Sequence, residues 1–141
     1  RAKEELIKRV EENKLSDYIK FIDKQPADKI PEFYANADMA FITLKKNLIS
    51  DEILPAKLQS YFACGVPILG SADGEIKHVI EKSKAGFCVE SGNAKKLAEQ
   101  IEKCINLTKE ELKQIQQNSR EFYVKNYEKQ MLLNKLEKEM K

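Results

Sequence analysis

The stretch from Ser50 to Ile80 constrains the fold most, because it sets two helix signals around one strand signal and supplies the punctuation between them. Its order is acidic loop, short helix, glycine stop, apolar strand, glycine-containing loop, second helix. Pro55 suits a first helical position, where the missing N–H would have had no intrahelical acceptor. Leu58, Tyr61 and Phe62 follow at i, i+3 and i+4 and share one helical face. Gly65 suits the left-handed residue just past a helix end, and Val66-Pro-Ile-Leu69 opens a strand rich in apolar side chains.

The rest of the chain repeats that alternation. Leu6, Ile7 and Val10 give an amphipathic helix over residues 1–14, and Tyr18-Ile-Lys-Phe-Ile22 alternates as a strand. Asp28 suits the cap of a short helix with Pro31 in its first turn and Phe33, Tyr34 and Ala37 on its apolar side. Met39-Ala-Phe-Ile-Thr-Leu44 is a continuous apolar run suited to a strand covered on both faces. Ala85-Gly-Phe-Cys-Val-Glu90 is a further strand, and Gly92-Asn93 opens a helix through Leu97, Ile101, Cys104 and Ile105. Thr108-Lys-Glu-Glu111 is a capping box that starts a new helix carrying Leu112, Ile115, Phe122 and Tyr123. A last helix follows Tyr127, with Met131, Leu132 and Leu136 expected to face inward. Strands alternating with helices through short loops predict an α/β fold, a Rossmann-like parallel sheet with helices on both faces. Ligands of such sheets sit at the carboxyl ends of the strands. That rule gathers four loops into one rim: Asp23 to Asp28, Lys45 to Leu54, Gly70 to Glu75, and Ser91 to Asn93.

Composition narrows the function classes. The 141 residues predict a single domain, and a net charge of +2 from 25 basic and 23 acidic side chains gives no reason to invoke nucleic acid. No apolar run is long enough to span a bilayer, and there is no signal-peptide pattern. Cys64, Cys88 and Cys104 are odd in number and set among apolar neighbours, which predicts buried free thiols in a reducing, cytoplasmic setting. No residues cluster at metal-ligand spacing, and no cofactor is implied. His78 has no Ser or Cys nucleophile to serve and reads as a surface or packing histidine. The chain opens on Arg1, which suggests a fragment.

Pro55-Ala-Lys-Leu-Gln-Ser-Tyr-Phe-Ala-Cys-Gly-Val-Pro-Ile-Leu69 resembles the donor-site helix of retaining GT-B glycosyltransferases of glycosyltransferase family 4. Those enzymes carry two glutamates separated by seven residues, then Ala-Cys-Gly-x-Pro-Val. Glu52 matches the first; the second position holds Ser60, a departure from the pattern. The Pro-x-Lys-Leu-Gln-Ser-Tyr wording resembles the branch working in bacterial cell-surface polysaccharide synthesis. Ile19-Lys-Phe-Ile-Asp23 is similar to the family's Val-x-Phe-x-Gly strand, with Asp23 in place of Gly. Ile30-Pro-Glu-Phe-Tyr-Ala-Asn-Ala-Asp38 and Ala85-Gly-Phe-Cys-Val89 resemble two later segments, so the likeness covers nearly the whole chain.

The resemblance implies the carboxyl-terminal, nucleotide-sugar-binding lobe of GT-B, in part. The lobe's first two βα units and the amino-terminal acceptor lobe are expected to lie outside this chain, and the isolated chain to be inactive. The missing strands would leave residues 39–44 as an exposed sheet edge, open to self-association. A transferase must seat a diphosphate, and a helix start at Pro55 and Ala56 offers N–H groups and a positive dipole end. Lys57 in its first turn would add a cation, or be a solvated lysine. Glu52 is implied as the catalytic residue that hydrogen-bonds the donor sugar's hydroxyls, with Asp51 beside it as a loop acid. Ser60 either contacts ribose through one hydroxyl or packs between helix and sheet. Gly74 and Glu75 either approach the donor or form an ordinary turn and helix start. Asp23 and Lys24 fall where the family reads the nucleobase by main-chain contacts. The donor implied is a UDP-sugar, a hexose or N-acetylhexosamine, passed to a glycan or lipid-linked glycan acceptor in polysaccharide or lipopolysaccharide biosynthesis. Peripheral attachment at the inner membrane face of the full-length protein is compatible with this. Two rivals remain: a UDP-N-acetylhexosamine epimerase lobe, and a non-catalytic binding or scaffolding subunit of a split transferase.

Overall fold

The computed structural model describes residues 2–45 and 54–140. It divides into two compact units, Arg1–Ile30 and Pro31–Lys141. The first begins with helix α1 (Ala2–Glu12). Leu6 is 52% exposed, while Ile7 and Val10 are half-buried. Residues 18–22, expected as a strand, form none: Tyr18 is 84% and Ile22 59% exposed. A strand exists through its ladder, and this run has no paired neighbour among the described residues. What orders the segment is local. The Lys3 ammonium from α1 pairs with the Asp23 carboxylate, and a single 3-10 turn (Ala27–Lys29) closes the unit.

Helix α2 (Ile30–Ala35), with Pro31 in its first turn, leads into a sheet of three parallel strands. These are β1 (Ala40–Thr43), β2 (Ile68–Ser71) and β3 (Gly86–Val89), in spatial order β1-β2-β3. The register pairs Ile42 with Gly70 and Gly70 with Cys88. Central β2 is buried at all four positions, with Ile68 and Leu69 supplying its apolar side chains and the buried Ser71 hydroxyl bonded to the Glu90 carbonyl. β1 differs from expectation: Ala40 and Ile42 are buried, but Phe41 is 48% exposed, so its second face is only partly covered.

Helices lie on both faces of the sheet. Helix α3 (Ala56–Ala63) contributes Leu58, Tyr61 and Phe62 to the core, together with Ile42 and Ile68 of the sheet. Ile76, Val79 and Ile80 of α4 (Gly74–Ser83) complete that side. A side chain on Gly70 would lie 2.7 Å from the Cys88 sulfur and 3.0 Å from Ile80 Cδ1, so glycine is what lets β2 pass beneath α4. Leu69 and Phe41 point to the opposite face, where Ile101 and Cys104 of α5 (Ala94–Ile105) line a groove of about 610 Å³ with them.

The helix ends expected at Gly65 and Thr108 are present with their bonds, whereas Asp28, expected as a cap, lies inside the 3-10 turn. Pro55 stands one place earlier than expected, as the N-cap of α3. At the other end Gly65 (φ 65°) donates to the Phe62 carbonyl and Val66 to the Tyr61 carbonyl, the Schellman pattern. Helix α6 (Lys109–Asn126) starts on the predicted Thr108–Glu111 capping box. It is docked by three side chains that donate to carbonyls at or just past the ends of other elements. The buried Ser119 hydroxyl reaches Val66, Asn118 Nδ2 reaches Lys84, and Arg120 Nη1 reaches Ala63. Its Phe122 ring lies 4.9 Å from Phe62. In α7 (Lys129–Glu139) Met131 is half-buried, but Leu132 and Leu136 are 45% and 54% exposed, against the inward orientation expected. The thiols also divide: burial raises the pKa of Cys88 and Cys104, whereas Cys64 is exposed and corrects the expectation that all three are buried.

Candidate functional site

Three parallel strands end at Thr43, Ser71 and Val89, and three helix starts follow them at Ala56, Gly74 and Ala94. This is the rim on which a ligand of a parallel α/β sheet is held. Its parts are capped differently. At α3 the N-cap is Pro55 (φ −63°, ψ 138°), with no side-chain cap, since proline has no side-chain acceptor. The Leu58 amide donates to the Pro55 carbonyl at 2.9 Å, which closes the first turn tightly. At α5, by contrast, the Asn93 side chain accepts from the Lys96 amide at 3.0 Å.

Ala56, Lys57 and Ser60 lie on the exposed side of α3, opposite Leu58, Tyr61 and Phe62. Ala56 and Ser60 are one turn apart in a single row, and the Ser60 hydroxyl donates back to the Ala56 carbonyl at 3.5 Å. This removes the alternative in which Ser60 packs between helix and sheet. The loop acids Asp51 and Glu52 lie outside the described residues.

The β2–α4 and β3–α5 turns are joined by side chains that sequence reading did not single out. Asp73 Oδ2 accepts from the Ser91 hydroxyl at 2.6 Å, and its Oδ1 from the Ser91 amide at 3.4 Å. The Ser71 hydroxyl donates to the Glu90 carbonyl at 3.3 Å, and the Ala72 amide to the Val89 carbonyl at 3.1 Å. Acid and serine are distant in sequence, so only the parallel pairing of β2 with β3 brings them together. Gly74 (φ 62°) begins α4 in the left-handed region, and Glu75 is exposed in its first turn. The charge of Glu75 joins burial in raising the pKa of Tyr127. The exposed Glu90 carboxylate is held below its ordinary pKa, first by its bond with Lys96 Nζ at 2.9 Å.

Asp23 and Lys24 belong to the first unit. Hydrogen bonding to Lys3, then its charge, holds the Asp23 carboxyl below its ordinary pKa, and the Asp23 carbonyl accepts from Gln25 Nε2 at 3.0 Å. His78 is exposed on α4. Among the described residues no three His, Cys, Asp or Glu side chains form a group able to hold a metal ion. No helix among them is long and apolar enough to cross a membrane.

A parallel α/β layer with this rim is of the Rossmann-like class that carries nucleotides and their derivatives. Within that class, the family model for glycosyl transferases group 1 matches residues 1–122, and the chain belongs to that family. It is 22% identical over 128 residues to a protein of Escherichia coli (strain K12) assigned as a colanic acid biosynthesis glycosyltransferase, with 90% of this chain and 32% of that protein aligned. It is 31% identical over 97 residues to the N-acetyl-alpha-D-glucosaminyl L-malate synthase of Bacillus anthracis, covering 69% of this chain and 23% of that enzyme. The chain thus spans a third or less of the curated relatives it matches.

Proposed function

We propose that this chain is the nucleotide-sugar-binding part of a retaining glycosyltransferase of the GT-B type, from the carboxyl-terminal lobe. Its donor is a UDP-sugar, with an N-acetylhexosamine as the favoured sugar, and its acceptor a glycan or lipid-linked glycan of a bacterial surface polysaccharide. The names of the two relatives support the choice of sugar and pathway class, one through colanic acid biosynthesis and the other through an N-acetylglucosaminyl group; the UDP donor rests on the motif resemblance. The reaction belongs at the cytoplasmic side of the membrane, where nucleotide sugars are made.

The observation that carries the reading is the start of α3. It presents amides at Ala56 and Lys57 that the N-cap residue does not cap, a lysine in its first turn, and an outward hydroxyl at Ser60, all after the carboxyl end of β1. Amides at a helix N-terminus favour an anion such as a diphosphate, and Lys57 adds a formal charge. Ser60 supplies one hydrogen bond to a ribose hydroxyl. In this proposal Gly74 and Glu75 are assigned to the sugar; the roles of Asp23 and Lys24 toward the base and of Glu52 toward the sugar hydroxyls rest on the motif resemblance.

Calorimetric titration of the gene-encoded protein with a panel of nucleotide sugars tests the reading. UDP-sugars are expected to bind more tightly than the GDP- or ADP-sugars. Lys57→Ala is expected to weaken UDP binding while the melting temperature stays within a degree or two, as for an exposed side chain. Equal UDP affinity in parent and variant would remove the phosphate role. Ser60→Glu, on an exposed row, is expected to fold normally and to hold UDP at least as well as the parent. Glu52→Gln should lower kcat/KM by about 2–4 kcal/mol of transition-state stabilisation.

A further inference from the structure

We infer that Asp73 and Ser91 are positioning residues, whose hydrogen bonds fix the β2–α4 turn against the β3–α5 turn so that Gly74 and Glu75 meet a bound nucleotide sugar in one set orientation. This rests on the donor-site reading above. An aspartate before a helix ordinarily accepts from amides of its own first turn. Asp73 holds that N-cap position for α4 yet makes no such bond, and its carboxylate instead takes both the hydroxyl and the amide of Ser91. The 2.6 Å contact is in the range of a charge-assisted O–H···O bond, the strong kind.

The backbone at this place needs such a constraint. Asp73 is extended (φ −115°, ψ −177°) and Gly74, the first residue of α4, has a positive φ of 62°, so the backbone changes region across one peptide at the helix start. Glycine populates several regions with similar ease, and its sequence alone does not select one. The selection comes from across the rim. Ser91 holds Asp73, Ser71 holds Glu90, and the Ala72–Val89 ladder bond lies between them. Glu75, exposed in the first turn, takes its direction from the same peptide. The two serines and the aspartate therefore set where the α4 start presents its backbone and its carboxylate.

The test uses Asp73→Asn, which keeps the shape and removes the charge, Ser91→Ala, which removes the hydroxyl, and Ser91→Thr, which restores it. All are made in the protein as its gene encodes it. Without ligand, amide hydrogen exchange at Ser91, whose amide donates to Asp73, and at Ala72, whose amide donates to the Val89 carbonyl, is expected to quicken about tenfold or more in Asp73→Asn and Ser91→Ala, with β2 unchanged and Ser91→Thr like the parent. Unchanged exchange at those amides overturns the inference irrespective of any ligand. With UDP and UDP-N-acetylglucosamine as probes, the sugar nucleotide is expected to lose about tenfold in affinity and UDP clearly less, because the turn is assigned to the sugar side. Quickened exchange with full sugar-nucleotide affinity would make the pair structural only and overturn the positioning role. A parent that binds neither probe overturns the donor-site reading instead, and the exchange measurement then decides alone whether the pair orders the turns.

Discussion

Residues 18–22 and residues 66–69 carry similar apolar side chains, and both read as strands, yet they end in opposite states. The later run leads into β2, with Val66, Ile68 and Leu69 each at most 2% exposed. In the earlier run Ile19, Phe21 and Ile22 are 42%, 40% and 59% exposed. Side-chain chemistry does not separate them. β2 has β1 on one side and β3 on the other, with α3 and α4 over one face; the earlier run has no ladder among the described residues. An extended segment becomes a strand by satisfying its amides on a neighbour.

That contrast can be broken at its strongest point. Gly86 pairs with Ile68, and a Cβ at Gly86 would lie 1.8 Å from the Ile68 carbonyl oxygen. Gly86→Ala therefore forces β3 away from β2 and is expected to cost more than about 4 kcal/mol, in the range of severe backbone and packing defects. Urea unfolding would check it; a midpoint near the parent's would mean that β3 shifts freely. Ile68→Ala, removing a fully buried side chain, is expected to cost about 2–5 kcal/mol in the same assay. Tyr61→Phe removes a single hydrogen bond from a largely buried side chain, a loss of about 1 kcal/mol.

The other side of the comparison should respond little. Ile22→Ala is expected to stay within about 0.5 kcal/mol of the parent, as for an exposed surface site. A loss comparable with that of Ile68→Ala would show that the run is buried by something outside the described residues. The smallest effect belongs to the Lys3–Asp23 pair. Its carboxyl pKa lies below the ordinary 3.8 because of Lys3, so whatever the pair contributes is present above that value and is lost as pH falls through the lower, folded one. Both groups are exposed, and screening leaves little. Lys3→Ala is expected to leave the melting temperature unchanged at pH 7 and to flatten any fall below pH 4; a fall at pH 7 would contradict this.

The sequence was most legible where local chemistry decides. Thr108 with Glu111, Gly65 after α3, and Leu58, Tyr61 and Phe62 on one face are short-range patterns, and all are in the structure. The parallel α/β class followed from the order of such elements. Reading failed where a distant partner decides. The partial cover of Phe41 and the exposure of Leu132 and Leu136 depend on what packs against them, which periodicity does not record. Cys64 sits at the C-cap of α3, where apolar neighbours in sequence do not imply burial in space. For the candidate site, sequence pointed to Pro55, Lys57, Ser60, Gly74 and Glu75 as rim positions of the later unit. It could not supply the bond between Asp73 and Ser91, because that contact exists only once β2 and β3 are in register.

The side of β1 away from β2, unpaired among the described residues, follows a similar logic. The amides of Ala40 and Leu44 donate toward β2, to Pro67 and Ser71, so the alternation of a parallel ladder turns the Phe41 carbonyl outward. That carbonyl accepts from the Tyr61 hydroxyl at 3.0 Å, with the Tyr34 ring set edge-on 5.2 Å away. Burial raises the pKa of Tyr61, which keeps the phenol a donor across the ordinary pH range. A strand arriving from outside must therefore compete with an internal ligand of the edge. At Phe41 it exchanges one hydrogen bond for another, and its gain there is close to zero. At that one position, then, side-chain contacts, which discriminate between sequences, weigh more than backbone pairing, which does not.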